Sequence, residues 1–83
     1  MGGSVISVQK QLFDLAERGL GEGRTLWVSI DHVPGEWHPL SSIALSRGGN
    51  FIRMRRADDG ALMVCRFKDL AAVRFDEGER ATA

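Results

Sequence analysis

Phe51, Arg53 and Arg55 recur at every second position of one short stretch, and Arg66 stands in the next. If that stretch is extended, its period of two puts the ring and both guanidiniums on one face. An aromatic beside forked guanidiniums can stack a nucleobase and grip phosphate. The same residue types also suit a protein interface, where arginine and aromatics are enriched. Arg47 and the two tryptophans, Trp27 and Trp37, complete the candidate contact set. Exposed indoles would favour the protein-binding version.

These arginines lie in a basic segment of a chain that is neutral overall. Residues 46–75 hold seven cations against three carboxylates, whereas residues 1–45 hold three against five. Asp76 to Ala83 returns to acidic, with one cation against three carboxylates. A basic centre between acidic ends could attract phosphate or an acidic protein. Keeping strand edges soluble is the plainer use of the same charges.

Asp31, His32, Glu36 and His38 are potential metal ligands in one short segment. Their spacing matches no marked zinc pattern, and His32 falls in phase with the apolar Leu26, Val28 and Ile30. There is no Ser–His–acid spacing, phosphate-cradling glycine loop or nucleophile elbow. Arg47-Gly48-Gly49-Asn50 bridges two strands, so no helix N-terminus follows it to receive an anion. Cys65, the lone cysteine, sits among Met63, Val64 and Phe67 as a packing residue in a reducing compartment. The expectation is a cytoplasmic, non-enzymatic binding module without metal, cofactor, small-molecule substrate or membrane anchor.

The elements that position these residues are readable from periodicity. Val5, Val8, Leu12, Leu15 and Ala16 follow three-four spacing, predicting an amphipathic helix over residues 4–19. Ser4 or Ser7 serves as its N-cap, and Gly19 as a left-handed cap with Leu20 folding back on Leu15. Gly21-Glu22-Gly23 connects it to a strand over residues 25–33, in which Trp27 is an aromatic on the polar side. Pro34-Gly35 begins an irregular excursion through Pro39. Further strands are expected over residues 40–46, 50–56, 61–67 and 72–75, with a tight turn at Lys68-Asp69-Leu70. Gly48-Gly49-Asn50 and Asp58-Asp59-Gly60 supply hairpin turn residues. From Asp76 onward the polar tail should fray.

Eighty-three residues make one domain with a marginal core, so oligomerisation is expected on energetic grounds. The fold class is α+β, mostly β: a helix on a strongly bent antiparallel sheet or small barrel of four or five strands. Bends are expected at Gly48-Gly49 and near Leu40-Ser41-Ser42.

This order of elements resembles the Sm-like small β-barrel family, including the bacterial Hfq-like RNA chaperones. Ser42-Ile43-Ala44-Leu45 through Asn50-Phe51-Ile52 looks like that family's second strand, turn and third strand. Met63-Val64-Cys65-Arg66 through Leu70-Ala71-Ala72-Val73 looks like its fourth strand, kink and fifth strand. Gly49-Asn50 stands where the family has Asp, and Cys65-Arg66-Phe67-Lys68-Asp69 where it has a basic–aromatic motif. The resemblance implies RNA binding by an oligomeric ring, joined through the fourth and fifth strands near Val64, Phe67, Val73 and Phe75. The alternative is a small protein-binding adaptor or inhibitor, of phage, plasmid or operon type, acting through its Arg and Trp surface.

Overall fold

A computed structural model describes residues 7–30, 36–76 and 80–82. It consists of one helix followed by a six-stranded antiparallel open sheet. Helix α1 spans Val8–Gly21. The strands are β1 Leu26–Ile30, β2 His38–Leu45, β3 Phe51–Arg56, β4 Leu62–Arg66, β5 Leu70–Phe75 and β6 Arg80–Thr82. Their spatial order is β4-β3-β2-β1-β5-β6, and a one-turn 3₁₀ helix, Phe67–Asp69, joins β4 to β5.

Ser7 caps α1, its hydroxyl accepting from the Lys10 N–H at 3.1 Å, while Ser4 lies outside the described residues. The helix does not stop at Gly19. Gly23 holds the positive φ, at 79°, and closes a Schellman ending four residues later than expected. Gly23 donates its N–H to the Leu20 carbonyl (3.0 Å), and Arg24 donates to the Gly19 carbonyl (2.9 Å). Gly19 instead lies buried within the helix, where an added Cβ would overlap the Phe75 ring. Its role is close packing rather than backbone freedom. Arg24 lies over the same ring, its guanidinium 4.0 Å from the centroid.

Leu12, Phe13 and Ala16 of α1 join Leu26, Val28, Leu40, Ile52, Met54, Leu70, Val73 and Phe75 in one core. Full burial of a large apolar side chain contributes about 1.5–3 kcal/mol. Strand β3 alternates cleanly: Ile52 and Met54 are buried, whereas Phe51, Arg53 and Arg55 are exposed. The candidate arginines therefore share the face turned away from the core, as their spacing predicts.

The ladder slips at two points. The β2–β3 register shifts between Leu40 and Ser42, one of the expected bend sites, and the β1–β5 register shifts between Ser29 and Ile30. Pro39 pairs with Trp27 in β2, so this strand starts two residues earlier than the sequence suggests.

Two expectations fail at the C-terminus. The sheet has six strands rather than four or five, and it is open, with β4 and β6 as its edges. Arg80–Thr82 does not fray but pairs with β5. Ala81 packs on the core and Arg80 lies over Trp37, anchors that polarity alone does not reveal. Strand β5 is thus flanked by β1 and β6, and Val73 and Phe75 are core residues, which leaves that strand no open edge.

Candidate nucleic-acid interface

The β3–β4 hairpin assembles most of the candidate set. Its ladder pairs Phe51 with Arg66, Arg53 with Val64, and Arg55 with Leu62. Since alternate residues share a face, all six side chains lie on the same side of the sheet. Phe51 is 48% exposed, large for an aromatic with an apolar alternative on the other face. Beside it, Gly49, Asn50, Phe51, Arg66, Phe67 and Lys68 line a cleft of about 300 Å³. An exposed ring, two cations and an amide side chain converge there.

The arginines are not equally available. Arg66 is held by Asp69, Nε to Oδ2 at 2.8 Å, and Arg55 donates to the Gly60 carbonyl at 2.7 Å. Arg53 is exposed without a hydrogen bond or ion pair among the described residues, and lines a second cleft of about 290 Å³ with Ser42, Ala44, Met54, Arg55 and Leu62. Arg47 is exposed in the turn between β2 and β3.

Sequence reasoning missed Asn50 and Lys68. The signal was present in the hairpin register: once Phe51 faces Arg66, the residues just beyond each must converge. What hid it was the one-turn 3₁₀ helix, which redirects Phe67–Asp69 toward the start of β3.

Trp27 and Trp37 form a separate cluster. Both are half-buried rather than free anchors. Trp27 faces Arg74 across the β1–β5 ladder. The Arg74 guanidinium lies between the indoles, 5.1 Å from the Trp27 centroid and 4.8 Å from that of Trp37. Arg80 adds a third contact, at 5.6 Å from Trp37. Trp27 also donates its indole N–H to Asp76 at 2.6 Å. The indole on the polar side is explained by a cation that sequence inspection did not single out.

His38 is engaged at the far end of the β3 hairpin. Arg56 donates to its Nδ1 at 2.6 Å, which assigns the ring proton to Nε2, 4.0 Å from the Glu36 carboxylate. Arg56 also grips Asp58 through two bonds, of 2.7 and 3.0 Å. That paired hydrogen bonding holds the Asp58 carboxyl down at about 2 and raises the Arg56 guanidinium. Asp31 and His32 lie outside the described residues, and among those described no three His, Cys, Asp or Glu gather as metal ligands. Cys65 is half-buried and packed against the core. Among the described residues no helix is long and apolar enough to cross a membrane.

No protein-family model, curated protein or solved structure matches the chain.

Proposed function

We propose that the chain is a cytoplasmic, non-enzymatic, oligomerising RNA-binding module of the Sm-like class. The observation that carries this reading is the cleft at the open end of the β3–β4 hairpin. There the half-exposed Phe51 ring sits beside Arg66, Lys68 and the Asn50 amide. A splayed base would stack on Phe51, a phosphate would meet Lys68 and Arg66, and Arg53 would extend the track along the sheet. The Sm-like assignment draws support from an N-terminal helix packed on an antiparallel sheet, the succession β4-β3-β2-β1-β5, and the one-turn helix before β5. In this reading β6 is an addition to a five-stranded barrel-like unit.

Titration of a labelled single-stranded RNA at low and moderate salt tests the proposal. Binding at low salt that weakens steeply with added salt is expected, because phosphate contacts release counterions. No binding at low salt ends the idea. The protein-adaptor alternative has less support, since both indoles that would anchor it are already stacked on Arg74.

A further inference from the structure

The two edges of the sheet are built differently. Phe67 donates its N–H to the Asn50 carbonyl at 2.8 Å, and Arg56 donates to the Ala61 carbonyl at 2.9 Å. These bonds fix the parity of the β3–β4 ladder: Ala61, Met63, Cys65 and Phe67 turn their backbone groups toward β3. In an antiparallel ladder, Leu62, Val64 and Arg66 then turn theirs to the open side. The side chains of Leu62 and Val64 are also 61% and 57% exposed. Strand β4 has no bulge, no proline and no charge before Arg66. It lacks the devices that usually shield an edge strand. Strand β6 has only three residues and begins at Arg80, which is committed to Trp37.

We infer that β4 pairs with β4 of a second copy of this chain, antiparallel about a two-fold axis at Val64. Val64 then faces its own counterpart, and Leu62 faces Arg66 of the other copy. This register joins all the outward N–H and C=O groups, whereas a slip by one residue would join none. Charge selects the same arrangement. The turn before β4 holds Asp58 and Asp59 against Arg56, and the segment after Val64 holds Arg66 and Lys68 against Asp69. One end of the strand is therefore net negative and the other net positive. Antiparallel pairing sets each acidic end against the other copy's basic end. Lys68 has no hydrogen bond or ion pair of its own among the described residues. Self-complementarity in both bonding parity and charge is what a two-fold contact between identical chains requires. The inference deepens the oligomeric part of the proposed function without depending on RNA.

Light scattering of the nuclease-treated full chain tests it, and a particle of twice the chain mass is expected. Val64→Glu places two carboxylates together on the axis and should halve that mass. Leu62→Glu places its carboxylate beside Arg66 of the other copy and should leave the dimer intact. Both positions are exposed, so circular dichroism should be unchanged in either variant. Met63→Cys would face Cys65 of the second copy at a non-hydrogen-bonded site, giving a covalent dimer on mild oxidation. A monomeric unmodified chain, equal loss in both glutamate variants, a ladder of larger cross-linked species, or no cross-link at all would each overturn the inference.

Discussion

The Phe75 ring occupies the space that a side chain at Gly19 would need, and this contact sets how closely α1 lies on β5. Gly19→Ala should therefore destabilise the fold although alanine favours the helix by about 1 kcal/mol. Overpacking of a filled core costs about 1–3 kcal/mol, and here the backbone behind Gly19 cannot yield without shifting the helix. Urea denaturation measures the balance. A variant more stable than the parent would show that the ring simply turns aside.

Arg74 should behave as the keystone of the tryptophan cluster. Among the described residues its buried Nε has no hydrogen-bond partner, so the indole faces are its main compensation. Each cation–π contact is worth about 0.5–2 kcal/mol. Arg74→Ala should lower stability by about 1–3 kcal/mol and shift tryptophan emission to the red as both indoles hydrate. Arg74→Lys should recover only part of this, because an ammonium does not stack as a planar guanidinium does. Unchanged emission in the alanine variant would place the indoles against other groups.

The Asp58 carboxyl should stay ionised into strong acid. Its native value of about 2 lies below the ordinary 3.8, so its contribution to stability is complete above 3.8. That contribution is lost as the pH falls through about 2, since the folded form resists the proton that the unfolded form accepts. A carbon-detected NMR titration should find the low midpoint, and Arg56→Gln should return it toward the ordinary value. A midpoint near 3.8 in the parent chain would mean that the Arg56 grip does not persist in solution.

For RNA binding, Phe51→Ala should remove one stacked base and lower affinity by about 5- to 150-fold, from about 1–3 kcal/mol per stacked base. Lys68→Ala should weaken all sequences alike and reduce the salt slope by about one phosphate contact. Arg47→Ala, further from the cleft, should matter less. Filter binding across a salt series separates these effects. A Phe51→Ala variant that binds as the parent does would move the interface off this hairpin.

Local signals in the chain were enough to place most elements. The three-four spacing of Leu12, Leu15 and Ala16 marked the helix, and the alternation of Phe51, Arg53 and Arg55 gave the exposed face of β3. The turn residues at Gly49 and Gly60 also sit at positive φ, as hairpin geometry demands. Gly19 was misleading because a glycine at a helix end and a glycine under an aromatic ring look alike in sequence. Only the position of Phe75, far along the chain, separates them. The candidate site was half legible: the ring and arginines could be read, whereas Asn50 and Lys68 required knowledge of how the hairpin closes.

Composition and spacing alone determined that a helix precedes a β meander, and that one side of its third strand is cationic with a single aromatic. These depend on interactions within a few residues, which periodicity and turn chemistry encode directly. Tertiary structure alone decided that β5 returns to pair with β1, that Arg80–Thr82 becomes a sixth strand, and that Arg74 lies between two indoles. Each of those joins segments separated by long stretches of chain. The free energy of such contacts depends on which surfaces collapse together, and no short window of sequence contains both partners.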